Sequence, residues 1–423
     1  MELTPEEQER IQAIQRFLEG DYPVDIYQNF NRSKKWFNKW LNRYHTGKTD
    51  WYKDLSKRPH VISKKTDRRI ENAVVGIRKS LMDGSEDSTR FFFVGAEAIQ
   101  FQMEEMGYEP SDIPSQSTIK RVIKRNKLDI NKKERYKRIK SKGRYTILKP
   151  KCINEMHQMD FVGPRYIKGF GSINSLHLKD VVGRQVAGKQ FVEKSMNNVL
   201  DFLLDYWKSH PIPKYLQVDN GMSFAGDYTH PRTFSRFVRL CLYVGTRVVF
   251  ITPAKPWMNG TIEEFNKGFD RLVWRKEIFV DLSDIQAKSA IFFASQNKFN
   301  TWKLREKDLN SITPKRILRR DFTIDLNNIP LVEGKIHFIR MVDSKGNISV
   351  LNERFHVGEE YIGEYITAFI DTREQSLDIV YNDEKMIVRK IKRIDYAIDE
   401  KVHDLDGLIY VPINQMSNLC AEP

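Results

Sequence analysis

The sequence predicts a mixed α/β core, with all-α modules on its N-terminal side and a β-rich segment on its C-terminal side. Three observations predict it. From residue 154 to about 276 the local patterns follow the order three strands, helix, strand, helix, strand, helix. Residues 4–128 carry helix caps and apolar stripes of helical period. Residues 330–396 carry short β-branched and aromatic runs divided by turns such as Ser344-Lys345-Gly346-Asn347.

The first element opens at Thr4-Pro5-Glu6-Glu7. Thr is a good cap, Pro suits the first helical position, and acids suit the first turn. Ile11, Ile14, Phe17 and Leu18 form its stripe, and Gly20 ends it. A short helix is expected over 24–30, a turn at Asn31-Arg32-Ser33, and a third helix over 34–41. In that third helix Trp36, Phe37, Trp40 and Leu41 can face a core while Lys34, Lys35, Asn38 and Lys39 face out. This is a helix-turn-helix pattern with a basic recognition helix, although a plain three-helix packing unit has the same spacing. Residues 44–65 read as an extended linker. A second helical module follows, with helices over 67–82, 96–106 and 117–127; the last displays Lys120, Arg121, Lys124 and Arg125.

The formal net charge is +14, and nearly all of it lies in one segment. Residues 119–150 hold fourteen Lys/Arg against Asp129 and Glu134, with Lys132, Lys133, Arg135, Lys137 and Arg138 at the centre. A charge run is often only a solvated face. This one leaves a basic helix and enters the α/β core, so contact with nucleic-acid phosphates is the better reading. A hydrophobic content of 40% excludes a disordered chain. The apolar stretches fall short of the ~20 residues of a membrane span, and the acidic start lacks a signal peptide's apolar core. Three cysteines, at 152, 241 and 420, exclude a Cys-rich zinc site and a disulfide framework and point to a reducing cytoplasm.

In the core, strands are expected over 154–162, 175–182, 184–192, 214–219 and 246–251, and helices over 197–208, 233–243 and 261–276. Three acids stand at telling places. Asp160 lies in the first strand, where burial of a lone carboxylate is costly. Asp219 ends the run Tyr215-Leu216-Gln217-Val218 and opens Asp219-Asn220-Gly221, also an ordinary turn signal. Glu263 follows Pro256-Trp257-Met258-Asn259-Gly260, where a helix begins, and Glu264 competes with it. Asn266, Lys267 and Asp270 share Glu263's helical face, so Asn266 and Lys267 can reach a DNA phosphate or form a solvated polar face. His157 points away from Asp160 by strand alternation and reads as a packed histidine; Asp180 reads as a turn residue. Trp257 and Met258 can touch a DNA end or cover the core.

The ordered set Asp160, Asp219-Asn220-Gly221 with Phe224, Pro256-x-x-Asn259-Gly260-x-x-Glu263 and Phe265-Asn266-Lys267 resembles the retroviral-integrase-type DDE transposases of bacterial insertion sequences. The resemblance reaches both flanks. It departs at His157, where many relatives have Trp, in the longer second interval, and in lacking a His/Cys zinc module. It implies an RNase H-like fold with a mixed five-stranded sheet, tandem helix-turn-helix modules before it, and a small SH3-like barrel after it. The divisions expected are 1–60, first module and linker; 61–128, second module; 129–150, basic linker; 151–280, catalytic core; 281–328, helical connector with a short helix from Thr313-Pro314; 329–397, barrel; and 398–423, a loose tail.

The resemblance further implies that Asp160, Asp219 and Glu263 are catalytic and hold two Mg²⁺, with Mn²⁺ able to substitute. It implies double-stranded DNA as partner, both element ends and target, bound by a homodimer or larger assembly, with no membrane. The activity implied is cleavage at terminal inverted repeats and strand transfer. Two other classes fit the same residues: a non-catalytic DNA-binding regulator derived from such an enzyme, and a plain RNase H-like nuclease.

Overall fold

A computed structural model describes residues 3–55, 66–84, 86–130, 148–226, 232–312, 315–382, 388–405 and 409–412. The central basic residues Lys132, Lys133, Arg135, Lys137 and Arg138, and the Thr313-Pro314 helix start, lie outside the described residues. The chain divides into two compact units, Met1–Thr66 and Asp67–Pro423.

The first unit is the expected three-helix module: α1 (Pro5–Leu18), α2 (Pro23–Asn29) and α3 (Lys34–Tyr44). Thr4 and Glu7 form a reciprocal capping box at the start of α1. Ala13, Ile14, Ile26, Phe37 and Trp40 make the core. Arg10 is buried with its guanidinium 4.0 Å from the Trp40 ring and donates to the Tyr52 carbonyl at 2.7 Å. Lys34, Lys35, Asn38 and Lys39 are exposed on α3, and Trp36 is half-buried.

The second unit begins with α4 (Arg68–Asp83), α5 (Ala96–Glu105) and α6 (Gln116–Arg125), close to the expected bounds. Their core of Val74, Leu81, Ile99, Met103, Ile119 and Val122 is completed by Phe299 and Trp302 from a later helix. Lys120, Arg121, Lys124 and Arg125 are exposed on α6, and Arg125 pairs with Glu71 at 3.0 Å.

The α/β core follows, with β1 (Met156–Ile167), β2 (Gly171–Asp180), β3 (Val186–Phe191), α7 (Met196–Trp207), β4 (Tyr215–Val218), α8 (Met222–Ala225), α9 (Arg236–Tyr243), β5 (Arg247–Phe250) and α10 (Gly260–Phe269). Strands β1, β2 and β3 are antiparallel, and β4 and β5 run parallel to β1, in spatial order β3-β2-β1-β4-β5. That order and polarity make the core RNase H-like. Met159, Leu176 and Leu178 pack on one face with α7 and α9. On the other face α10 joins α11 (Leu282–Leu304) through Ile262, Phe265, Phe269, Phe292 and Phe293. Gly188 permits this close approach, because a Cβ there would lie 2.7 Å from both Phe293 and His177. The expected connector is thus a 23-residue helix belonging to two cores: Phe292 and Phe293 serve the α/β core, Phe299 and Trp302 the helical module.

The C-terminal strands depart from expectation. The segments β7 (Lys335–Met341), β10 (Tyr365–Asp371), β11 (Ser376–Asn382) and β12 (Val388–Asp395) form an antiparallel meander. In place of a separate SH3-like barrel, the meander extends the core sheet: β7 pairs in parallel with β5, Val248 opposite Ile336 and Phe250 opposite Phe338. The expected five core strands are thus part of one nine-stranded sheet. Pairing there covers the edge β5 would otherwise expose. Strands β8 (Asn347–Val350) and β9 (Glu353–His356) form a hairpin whose Ile348, Val350 and Phe355 join the same core as the meander and α7.

Two smaller expectations also fail. Arg316–Leu318 is a strand, β6, not the end of a helix, and Tyr410–Pro412 is a strand, β13, paired with it. The presumed tail therefore contributes structure, and Ile398 and Ile409 are buried in the main core. No described helix is long and apolar enough to cross a membrane.

Candidate active site

Parallel pairing of β1 and β4 brings two of the acids together. Gln158 stands opposite Gln217 as the last pair of that register, and Asp160 and Asp219 each follow two positions further on. The first turn of α10 brings Glu263, and the motif ahead of it explains how. Gln217 Nε2 donates to the Met258 carbonyl at 3.0 Å and to Asn259 Oδ1 at 3.2 Å. Asn259 Nδ2 donates to the Met159 carbonyl at 3.3 Å, and Ile262 N donates to Gln158 Oε1 at 3.0 Å. Asn259 and two buried glutamines thus fasten the helix N-terminus to β1 and β4.

The electrostatics agree with this proximity. Burial, then the charges of Asp219 and Glu263, push the Asp160 carboxyl up to about 7, against an opposing pull from Lys194. Among the described residues no three carboxylate, imidazole or thiol groups converge tightly enough, as they stand, to hold a metal ion. Each acid instead has a protein neighbour: Asp160 Oδ2 accepts from Asn266 Nδ2 at 2.9 Å, Asp219 Oδ1 from Gly221 N at 2.9 Å, and Glu263 Oε2 lies 3.8 Å from Lys267 Nζ. The donor set itself suits a hard divalent cation, being all carboxylate oxygen and including one part-buried acid that its neighbours disfavour as an anion.

A cleft of about 590 Å³ opens at Asp160 and Glu263, lined also by Asn266, Lys267, Asp270, Arg165, Arg271 and Arg275. Glu264 lines a different cavity with Lys179, so Glu263 is the acid that shares Asp160's cleft. The three arginines were not singled out from sequence. For Arg271 and Arg275 the signal was present, since Glu263, Lys267, Arg271 and Arg275 recur at intervals of four; Arg165, on β1, carried none. Asp270 pairs with Arg165 and, at 2.7 Å, with Arg275. A π-helical turn, Asp270–Trp274, continues α10 at this point.

Asn266, expected to reach a DNA phosphate or to form a solvated polar face, lines the cleft but is not an open polar residue. It is buried, and its carboxamide bridges two side chains: His177 Nδ1 donates to Oδ1 at 2.8 Å while Nδ2 donates to Asp160. His177 lies opposite Asp160 on β2, its ring 4.4 Å from that of Phe269, and burial lowers its pKa to about 4. Lys267 is exposed, as expected. His157 is packed and bonds Asn154 at 3.2 Å, and Asp180 accepts from Val182 N at 3.0 Å in a turn. Met258 is buried, whereas Trp257 is half-exposed with its ring edge-on to Tyr365.

The homeodomain-like domain family matches residues 4–50, the three helices of the first unit. The N-terminal module resembles homeodomain-like domains. No curated protein matches the chain. Solved structures with similarity include the catalytic core domain of BIV integrase, at 17% identity over 34% of this chain and 82% of that one, with a TM-score of 0.26. The HTLV-2 integrase catalytic core in complex with magnesium is 16% identical over 37% of this chain and 90% of that one, with a TM-score of 0.25. A simian T-cell lymphotropic virus intasome with PP2A regulatory subunit B56 gamma gives 9% over 71% and 99%, with a TM-score of 0.30.

Proposed function

We propose that this chain is a DNA transposase that cleaves at the terminal inverted repeats of a mobile element and joins the freed ends to target DNA. The observation that carries the reading is the cleft that Asp160 and Glu263 share, rimmed by Arg165, Lys267, Arg271 and Arg275, with the Asp219 charge acting on Asp160. Asp160, Asp219 and Glu263 would hold two Mg²⁺ or Mn²⁺. Such a pair activates an attacking oxygen and stabilises the leaving one. The chain's own residues do the rest. The cleft cations bind the phosphates on either side of the scissile bond. Asn266 orients the Asp160 carboxylate. Water is the first nucleophile and the resulting 3′-OH the second, so no enzyme side chain bonds to DNA.

Exposed cations on α3 and α6, with the basic run of 132–138, supply DNA contacts ahead of the core. Copies of the chain assemble on DNA because two ends must be joined. The test is incubation with Mg²⁺ or Mn²⁺ and labelled element-end DNA, scoring nicked and joined products separately. Metal-dependent joining supports the proposal. Nicking without joining would make the protein a nuclease, and binding with neither a regulator.

A further inference from the structure

We propose that Arg340, on the C-terminal strand β7, is a positioning residue for the metal site, acting through Asn220 on the turn that carries Asp219. This rests on the reading of Asp160, Asp219 and Glu263 as metal ligands. Arg340 is buried and spreads its guanidinium across three segments. Its Nη2 donates to Asn220 Oδ1 at 3.0 Å, its Nη1 to the Ile251 carbonyl at 3.0 Å, and its Nε to the Ser349 carbonyl at 2.8 Å. Asn220 Nδ2 donates to the same Ile251 carbonyl at 2.6 Å. One arginine and one asparagine thus close a ring at the C-terminal end of β5.

The ring holds both stretches of chain that deliver acids. Asp219 precedes Asn220 directly, and Ile251 begins the loop that leads to Pro256 and Glu263. Thr252, next in that loop, donates to the Ile339 carbonyl of β7 at 3.0 Å. A buried guanidinium is costly to desolvate unless its donors are used, and here they are directed to the Asn220 side chain and to the Ile251 and Ser349 carbonyls. Only a planar fork serves three partners in fixed directions, which an ammonium group cannot do. The parallel pairing of β7 with β5 gives the fork its place. The C-terminal strands are then part of the catalytic apparatus and not an appended module.

The experiment measures Mn²⁺ affinity of the full chain by electron paramagnetic resonance of free Mn²⁺, with thermal melting alongside. Arg340→Met and Asn220→Ala should each weaken Mn²⁺ binding about 10- to 100-fold, as outer-shell changes commonly do. Because both cut the same link, the double variant should bind no worse than Arg340→Met alone. Arg340→Lys should not restore wild-type affinity. Asn220→Ala, at a partly exposed turn, keeps the comparison available if Arg340→Met fails to fold. A wild-type affinity in Asn220→Ala, or additive losses in the double variant, would overturn the proposal and leave the metal-site reading standing. A wild-type chain that binds no Mn²⁺ would remove that reading and the proposal with it.

Discussion

Asn266 Nδ2 donates to Asp160 Oδ2 at 2.9 Å, while the other end of the same carboxamide accepts from His177. A part-buried aspartate is thereby held from behind by a side chain that is itself held. Asn266→Ala should lower stability by about 1–3 kcal/mol, because it leaves the His177 Nδ1–H buried without its acceptor. Denaturant melts of the metal-free protein measure this. A loss below about 0.5 kcal/mol would mean that the bridge has no energetic weight.

Charge removal without loss of bulk tests the acids. Asp160→Asn, Asp219→Asn and Glu263→Gln should each abolish nicking and joining while leaving DNA affinity nearly intact. Glu264→Gln should retain activity, since Glu264 faces the cavity of Lys179. Retained cleavage in Glu263→Gln together with loss in Glu264→Gln would reverse the assignment.

Acid should destabilise the metal-free fold between pH 6.5 and about 4. Burial lowers the His157 and His177 pKa values to about 4 and that of His337 to about 3. The unfolded chain takes up these protons near 6.5 while the folded chain does not, so stability is full above that pH and falls below it. Asp160 acts in the opposite sense: its folded pKa of about 7 favours the folded chain as pH drops from there toward 3.8. Three histidines outweigh one aspartate. A denaturation midpoint at pH 5 equal to or above that at pH 7.5 would contradict this balance.

Truncation should respect the shared helix α11. A fragment of residues 67–423 should fold and lose only what the first unit contributes, including part of the preference for element ends. A fragment of residues 151–423 should melt lower and bind more hydrophobic dye, because Phe299 and Trp302 lose the core they share with α4 to α6. Equal melting temperatures for the two fragments would show that this packing adds little.

Neutralising Lys132, Lys133, Arg135, Lys137 and Arg138 together should weaken binding to all DNA sequences alike. Fewer phosphate contacts release fewer counterions, so the slope of log K against log salt should flatten. An unchanged slope would mark the run as a solvated linker.

Local chemistry made much of this protein legible. Thr4 with Glu7 announces a capping box, and the stripe of Phe37 and Trp40 separates core from exposed lysines within one turn of helix. Alternation and turn residues located the strands. These signals lie within a few residues of one another, where helical or strand period alone sets which side chains share a face. The cleft arginines at intervals of four belong to the same class of signal. Asp160, Asp219 and Glu263, far apart in the chain, stood out only through the resemblance of the motifs around them.

Partners distant in sequence required the tertiary structure. The alternation of β7 fits a barrel strand as well as an added strand of the core sheet, and only the free edge of β5 decides between them. Asn266 shows the same limit on a smaller scale. Its helical position puts it near Glu263, but whether it meets solvent or a carboxylate depends on β1 and β2 passing beneath it. Arg340 lies 121 residues beyond Asp219. Its hydrogen bond to Asn220 is set by sheet register and by the need to satisfy a buried guanidinium, neither of which leaves a local trace in the sequence.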